Sequence, residues 1–473
     1  MNKVKSIHFV GIKGVGLTPL AIIAKQAGIK VTGSDVAEEF ITDQALKKAG
    51  ITPLVDFLPE HLPKNLDLVI TTGAHGGLDN PEVVAARERL IPVMTKGEAV
   101  GAFMQGDLLG RSFTQIAVAG SHGKTTSTAM LATVLQKAGF DPTYIIGTGS
   151  TSALDLPGHL GKGQYFVAES DEYATEPAHN HKAQFLWQYP DVLLLTNIEH
   201  DHPDIYPTLM DVEKVFREFA THISTKGFIV GCGDDELVYS LLKEHPGKTI
   251  SFGFSPKNQY VLTRVHISGG QMFFRLQREG MDLEEFRLSV FGEHNALNAA
   301  GVVAVCMELG IPLEKIKEAL PEFSGSKRRL EYKGQLTTGA YLFDDYAHHP
   351  TEIRNTLKSL RIRYPKSTLI AIFQPHTYSR TKALLPEFVT AFDDANDVII
   401  MDIFSSAREK KDPTITSGLL AQQLAVRHPA VLYLPTIEDV AALLSKENLK
   451  DNTVIVFMGA GDIYKTIDLL PKI

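Results

Sequence analysis

Cysteine is almost absent from this chain: among 473 residues only Cys232 and Cys306 occur, far apart and without a CxxC partner. That leaves neither a disulfide framework nor a cysteine zinc site, and both thiols are expected to be buried or incidental. Long apolar runs are missing too. No stretch approaches the roughly 18 consecutive apolar residues that a membrane span needs. The opening Met1-Asn2-Lys3-Val4-Lys5-Ser6 runs straight into a strand-like Ile7-His8-Phe9-Val10, without the apolar core and small-residue cleavage site of a secretory signal. A cytoplasmic protein with no membrane partner is the expectation. Basic excess is lacking as well: the net charge of −8 offers no electrostatic footprint for nucleic acid, so any anionic nucleotide has to be held by local sites. What is present, 44% hydrophobic and 22% charged residues, is the balance of a globular protein, and the length suggests about three domains at roughly 150 residues each.

The fold class reads as α/β. Over residues 1–108, strand-like runs at 7–10, 31–34 and 66–71 alternate with helical patterns such as 17–26, the signature of parallel βαβ units. A second segment, 109–323, opens on a strand at 115–119 and a helix over 126–137. It continues through buried strands at 165–168 and 192–196 and ends in a more antiparallel stretch around 260–276, so its sheet is expected to be mostly parallel. Small residues at Phe323-Ser324-Gly325 and the basic run Lys327-Arg328-Arg329 mark a junction to a third segment, 324–473, with strands at 341–343, 368–373, 397–401 and 454–458. No short internal repeat or low-complexity tract is present.

Ile116-Ala117-Val118-Ala119-Gly120-Ser121-His122-Gly123-Lys124-Thr125-Thr126 is a strand, a small-residue turn and a helix start. Backbone N–H groups at such a turn face inward and meet the positive end of the helix dipole, so they can hold phosphate oxygens. Lys124 would neutralise the β and γ phosphates, and the Thr125 hydroxyl would hold Mg²⁺ or a phosphate. Val118 stands where the usual motif has its first glycine, so the match is partial. The alternative is an ordinary βα turn with a surface lysine.

A second glycine-rich turn, Val10-Gly11-Ile12-Lys13-Gly14-Val15-Gly16-Leu17, also joins a strand to a helix. Its spacing is GxxGxG, not the GxGxxG of a dinucleotide fingerprint. Asp35 follows the next strand, where an acidic residue commonly meets a ribose. Gly11, Gly14, Gly16 and Asp35 are therefore candidates for a nucleotide diphosphate, against the reading of a merely tight turn. A dinucleotide oxidoreductase would use such a loop but not a second phosphate loop beside it.

Glu169-Ser170-Asp171-Glu172 and Thr196-Asn197-Ile198-Glu199-His200-Asp201-His202 each follow an apolar strand. Their carboxylates and histidines are thus predicted at carboxyl ends of strands, where α/β proteins place ligands. Near a phosphate loop they can supply oxygen and imidazole ligands to Mg²⁺. Taken singly, each has an alternative reading as a solvated acidic turn with a histidine hydrogen-bonded to backbone.

Four separated strings, 119–126, 196–202, Gly292-Glu293-His294-Asn295-Ala296-Leu297-Asn298-Ala299 and Asp344-Asp345-Tyr346-Ala347-His348-His349-Pro350, resemble the Mur ligases in order and spacing over essentially the whole chain. The resemblance implies a Rossmann-like N-terminal domain for a UDP-sugar, a central P-loop ATPase-like domain, and a Rossmann-like C-terminal domain that binds the amino acid and closes on ATP. By it, Gly120, Ser121, His122, Gly123, Lys124, Thr125 and Thr126, with His294, Asn295, Asn298, Arg329 and Asp345, bind ATP. Thr125, Glu169 and His202 hold Mg²⁺, and His75 joins Gly11, Gly14, Gly16 and Asp35 in the UDP-sugar site. Tyr346, His348, His376 and Arg380 line the amino acid, and Lys124, Glu169, His202, His348 and Arg380 are the catalytic set.

The implied reaction is ATP-dependent amide formation through an acyl phosphate, with His348 or His376 as either general base or binding group. Within the family, Gly11-Ile12-Lys13-Gly14-Val15-Gly16, Asn80-Pro81-Glu82, the string 373–381 and Ser406-Ala407-Arg408-Glu409 are similar to members that add L-alanine to UDP-N-acetylmuramate. Two departures stand out. Lys13 replaces a glycine of the first loop, and the interval from Glu169 to His202 is long, with Gln184-Phe185-Leu186-Trp187-Gln188-Tyr189-Pro190 similar to a recycling member that attaches a preformed tripeptide. The strings of the third segment favour alanine. A rival of another class is a non-catalytic nucleotide-binding regulator. A monomer or homodimer is expected.

Overall fold

Ile7 and Phe9 point to one side of their strand, His8 and Val10 to the other, and this alternation sets the first layer of the computed structural model, which describes residues 4–405, 409–446 and 449–472. The strand Ser6–Val10 is buried along its whole length, as a parallel strand covered on both faces has to be. Five parallel strands run in the order Leu54–Val55, Lys30–Asp35, Ser6–Val10, Leu68–Thr71, Val93–Thr95. The order reverses at Ser6–Val10, so its carboxyl end, where Gly11 begins, is a topological switch point. Helices Thr18–Gln26 and Lys96–Gln105 cover one face with Leu20, Ile23, Val100 and Phe103.

The chain gathers into two compact units. One runs to His200 and takes in Thr208–Val290 and Asn295–Ser326; the other comprises Asp201–Pro207, Phe291–His294 and the chain from Lys327 onward. The first unit also contains a ten-stranded sheet. At its centre Thr114–Ala119 lies between Val192–Leu195 and Tyr165–Glu169, all parallel, which brings three strand ends together. The sheet is mixed. It ends in the antiparallel strands Tyr260–Ser268, Gln271–Arg278 and Met281–Leu288, and at its other edge Thr143–Ile145 pairs antiparallel with Gly158–His159. The second unit holds six strands in the order Glu331–Gln335, Tyr341–Asp345, Thr453–Met458, Thr368–Phe373, Asp397–Ile400, Val431–Tyr433, parallel except for the first pair.

The predicted strands are found with their ends shifted by one or two residues, and the helix read over 126–137 begins at Lys124, directly after Gly123 in a left-handed conformation. The interval after Glu169 is structured rather than a plain loop. Strands Ala174–Glu176 and Asn180–Ala183 form a hairpin, and Gln184–Trp187 is a 3₁₀ turn. It packs on the helix Lys96–Gln105, where a Cβ on Gly101 would fall 2.1 Å from the Trp187 carbonyl oxygen. Cys232 and Cys306 are both buried, and burial pushes the Cys232 thiol up to about 12. Among the described residues no helix is long and apolar enough to cross a membrane.

Candidate active site

The strand Thr114–Ala119 ends on Gly120, whose φ of 134° and contact with Thr196 leave no room for a side chain: a Cβ there would fall 2.0 Å from Thr196 Oγ1. The segment after the neighbouring strand braces the turn. His122 N–H donates to Asn197 Oδ1 at 2.8 Å, the Thr196 hydroxyl donates to His122 O at 2.6 Å, and Glu199 N–H donates to Ser121 Oγ at 2.8 Å. Asn298 packs on the same turn, with its Oδ1 2.7 Å from where a Gly123 Cβ would be. Asn295 lies one helical turn before it in Glu293–Glu308, and Thr126, partly exposed, follows Thr125 in the helix.

Lys124 folds back over the turn. Its ammonium donates to Gly120 O at 2.6 Å, Ser121 O at 3.1 Å and Glu172 Oε1 at 3.0 Å, which accounts for its three protons. Burial alone would lower this lysine's pKa, but the carboxylates of Glu172, Asp171 and Glu169 outweigh it and hold the group charged above the ordinary range. Glu172, 1% exposed, was not assigned a role from sequence, although it stands in the acidic string that follows its strand.

Glu169 and Thr125 meet at the same turn: Thr125 Oγ1 donates to Glu169 Oε1 at 2.8 Å, and Glu169 Oε2 accepts Gly147 N–H at 2.7 Å. A hydroxyl and a carboxylate oxygen converging beside the Gly120–Gly123 turn are the donor set a hard divalent cation takes. These residues fit Mg²⁺.

At the first glycine turn, Gly11 adopts φ 82° against Thr72, and Gly14 and Gly16 are partly exposed. Asp35 is buried at 1% exposure, and its carboxylate accepts Lys13 N–H at 2.7 Å and Val36 N–H at 2.8 Å. Burial raises its pKa against those two bonds and the charge of His75, whose Nε2 lies 3.7 Å away. Lys13 itself donates to Val36 O at 2.9 Å and Glu38 O at 2.7 Å, so its charge fastens the segment after Asp35.

In the second unit, Tyr346, His348, His376 and Arg380 are brought together. Tyr346 and His348 rings stand 5.3 Å apart, His348 and His376 6.1 Å, and Arg380 Nη1 is 3.3 Å from His376 Nδ1. Arg380 is 3% exposed and binds Asp201 through Nε at 2.8 Å and Nη2 at 2.7 Å, both to Oδ1. Burial would raise the Asp201 pKa, but Arg380, with His202, His348 and His349, holds it well below the usual carboxylate range. Next to it His202 adopts φ 56°. Burial lowers His348 to about 4 despite Glu352, so its imidazole is neutral at pH 7 and a weak base, which favours binding over proton abstraction.

Asp345 accepts from Ala347 N–H and from the Thr356 hydroxyl at 2.6 Å, and burial pushes it up to about 6. Arg329 lies 5.0 Å over the Tyr346 ring and 3.7 Å from Glu352. His294 belongs to this unit, and burial lowers it to about 4. Ser406, Ala407 and Arg408 lie outside the described residues. Three groups here escaped sequence reasoning. Asp201 stands between two histidines in the sequence, where nothing local signals its pairing with Arg380. Arg328, 5% exposed, donates to Gly461 O and Gly459 O. Glu352 accepts His348 and His349 N–H groups and completes the capping box of Pro350–Arg363, a pattern that Glu three positions after His349 does signal.

Residues 6–107 match the Mur ligase family catalytic domain, 118–306 the Mur ligase middle domain and 328–461 the Mur ligase glutamate ligase domain. A UDP-N-acetylmuramate--L-alanine ligase of Desulfitobacterium hafniense (strain Y51) is 39% identical over 460 residues, 97% of this chain and 98% of that protein. Another of the same name, from Solidesulfovibrio magneticus, is 38% identical over 98% of this chain and 97% of its own. The crystal structure of UDP-N-acetylmuramate-alanine ligase from Thermotoga maritima superimposes with a TM-score of 0.80 at 29% identity, covering 98% of this chain and 97% of that one. A murein peptide ligase of Psychrobacter arcticus, at 23% identity and a TM-score of 0.70 over 99% and 100% of the two chains, shares the fold. With all three of its segments matched, and with relatives above 30% identity aligned end to end, this chain belongs to the Mur ligase family.

Proposed function

We propose that this chain joins L-alanine to the lactyl carboxylate of UDP-N-acetylmuramate, converting ATP to ADP and phosphate, as a cytoplasmic step of peptidoglycan precursor synthesis. The observation that carries the reading is the end-to-end match to L-alanine ligases at 39% identity. The division of labour follows the notional domains 1–108, 109–323 and 324–473: the first takes the UDP-sugar, the second ATP, the third the amino acid. Oligomeric state, monomer or homodimer, is secondary to it.

A carboxylate is a poor electrophile, so the γ-phosphoryl of ATP first converts it to an acyl phosphate. Positioning and charge neutralisation supply most of such catalysis. Lys124 and the backbone of the Gly120–Gly123 turn hold the phosphates. Mg²⁺ held by Thr125 and Glu169 would offset the charge of the phosphates. The amine of L-alanine then attacks the acyl carbon and phosphate leaves. Tyr346, His348, His376 and Arg380 form the amino-acid side of the site. The Gln184–Trp187 stretch, which is similar to the tripeptide-adding members, packs on the helix Lys96–Gln105 in the first unit, whereas these four residues lie in the second.

The test offers UDP-N-acetylmuramate and MgATP with either L-alanine or L-alanyl-γ-D-glutamyl-meso-diaminopimelate, and follows phosphate release and product mass. Phosphate and product with L-alanine are the expected result. Turnover with the tripeptide alone, or with neither, refutes the reading.

A further inference from the structure

Two pairs of glycines around the five-stranded sheet, Gly73 with Gly77 and Gly97 with Gly101, face one stretch of chain, the insert 174–187 that leaves the ten-stranded sheet after Tyr165–Glu169. A Cβ on Gly97 would fall 2.9 Å from Trp187 Cδ1 and 3.1 Å from Gln184 Cα, and one on Gly101 would strike the Trp187 carbonyl. Glycine inside a helix is unfavourable relative to alanine, so the helix Lys96–Gln105 gives up stability for this close approach. Lys96 adds an ion pair to Asp171 Oδ2 at 2.9 Å, just before the insert. The insert is also tied to itself: Trp187 Nε1–H donates to Thr175 Oγ1 at 2.9 Å, and Gln184 Nε2–H donates to Ala174 O at 3.1 Å. Its bend rests on the loop 72–80. A Cβ on Gly73 would fall 2.9 Å from Pro177 Cδ, one on Gly77 would overlap the Glu176 carboxylate, and His179 Nε2 lies 2.7 Å from Asp79 Oδ2. Glu176 is 2% exposed, and its Oε2 accepts the His179 N–H at 2.7 Å.

That loop needs support. His75 has a φ of 54°, a left-handed conformation that a residue with a Cβ keeps only where its surroundings hold it. Asn80 Nδ2–H donates to His75 O at 2.9 Å, the Phe57 ring stands 5.1 Å from the imidazole, and His75 Nε2 lies 3.7 Å from Asp35 Oδ1. These partners hold the carbonyl and side chain of His75, whereas the backbone on either side of it, at Gly73 and Gly77, is backed by Pro177 and Glu176. We propose that Glu176 is a positioning residue: at the bend of the insert it fixes the loop 72–80, and through the loop it sets the direction of His75 toward Asp35. The inference rests on the proposed function for the ligand that His75 meets.

Calorimetry on the full chain measures the Kd of UDP-N-acetylmuramate and of MgATP for the wild type, Glu176→Ala, Glu176→Gln, His75→Ala and the double variant of Glu176→Ala with His75→Ala. Glu176→Ala is expected to weaken the sugar nucleotide by about tenfold while MgATP stays within about twofold. Glu176→Gln, of the same size and with an oxygen for the His179 N–H, should keep most of the affinity. Because Glu176 acts through His75, Glu176→Ala should cost less than about twofold more on the His75→Ala background. Amide hydrogen exchange should rise in the loop 72–80 of Glu176→Ala and stay unchanged in the strand Ser6–Val10. Should Glu176→Ala fail to fold, Asp79→Asn, which loosens the exposed link to His179, gives the same comparison: a loss of a few-fold, on the order of 2–5, that vanishes on the His75→Ala background. A full additional loss on that background, or sugar-nucleotide affinity and loop exchange both as in the wild type, overturns the role of Glu176. A wild type without affinity for UDP-N-acetylmuramate, but with loop exchange raised by Glu176→Ala, overturns the functional reading and leaves the brace standing.

Discussion

Lys124→Ala is expected to lower ATP turnover by about a thousandfold or more, since a single preorganised charge on a transferring phosphoryl group is worth that much. From sequence alone the variant would be expected to keep its fold untouched. The ion pair changes that expectation. Glu172 is 1% exposed and both its oxygens lie about Lys124 Nζ, at 3.0 and 2.9 Å. Removing the lysine takes away the cation that faces the buried Glu172 carboxylate, and breaking a buried pair from one side costs about 3–5 kcal/mol. Lys124→Ala should therefore melt earlier as well as fail to turn over ATP. The double variant Lys124→Met with Glu172→Gln removes both charges and is expected to regain most of the lost stability, with activity still absent. Thermal denaturation and phosphate release on the same preparations separate the two effects. Turnover retained in Lys124→Ala would refute the phosphate-loop assignment, and a single variant as stable as the wild type would refute the stabilising role of the pair.

Arg380→Met is expected to be comparably damaging in the second unit. Arg380 and Asp201 are 3% and 4% exposed and joined by two short bonds, so taking the guanidinium from the buried Asp201 carboxylate again costs about 3–5 kcal/mol, roughly 2–4 °C of Tm for each kcal/mol. Ligation should fall with it, because Asp201 anchors the segment that carries His202 and Arg380 contacts His376. The pH dependence has a defined sign. Asp201 has a folded pKa well below its unfolded value, so its stabilisation is complete above about pH 4 and is lost as the pH falls through the folded pKa. Arg380→Met should lack that acid-side loss. Unfolding curves from pH 7 down to pH 3 check it: parallel wild-type and variant curves would contradict the pairing.

The strands were readable because each is a short apolar run between turn signals, and in parallel sheets such runs are buried on both faces. The strand, turn and helix around Gly120–Lys124 were readable because small residues directly after an apolar run mark such a turn. What escaped were partners supplied by long-range contact. Glu172 stands 48 residues from Lys124, Asp201 179 from Arg380, and Asp171 75 from Lys96. Each appears in sequence as one more carboxylate in an acidic turn. The same holds for Lys13, whose replacement of a glycine reads as an added charge near a diphosphate but whose ammonium is spent on two backbone carbonyls. The hairpin Ala174–Glu176 with Asn180–Ala183 was illegible because its strands are too short for alternation to register.

The proposed ligation requires a phosphoryl group to pass from ATP to a sugar-borne carboxylate. Incubating the enzyme with MgATP, L-alanine and UDP-N-acetylmuramate labelled with ¹⁸O in its carboxylate, then analysing the released phosphate by mass, tests that transfer directly. One ¹⁸O atom in each phosphate is the predicted result. Phosphate free of label while the amide product accumulates would contradict it.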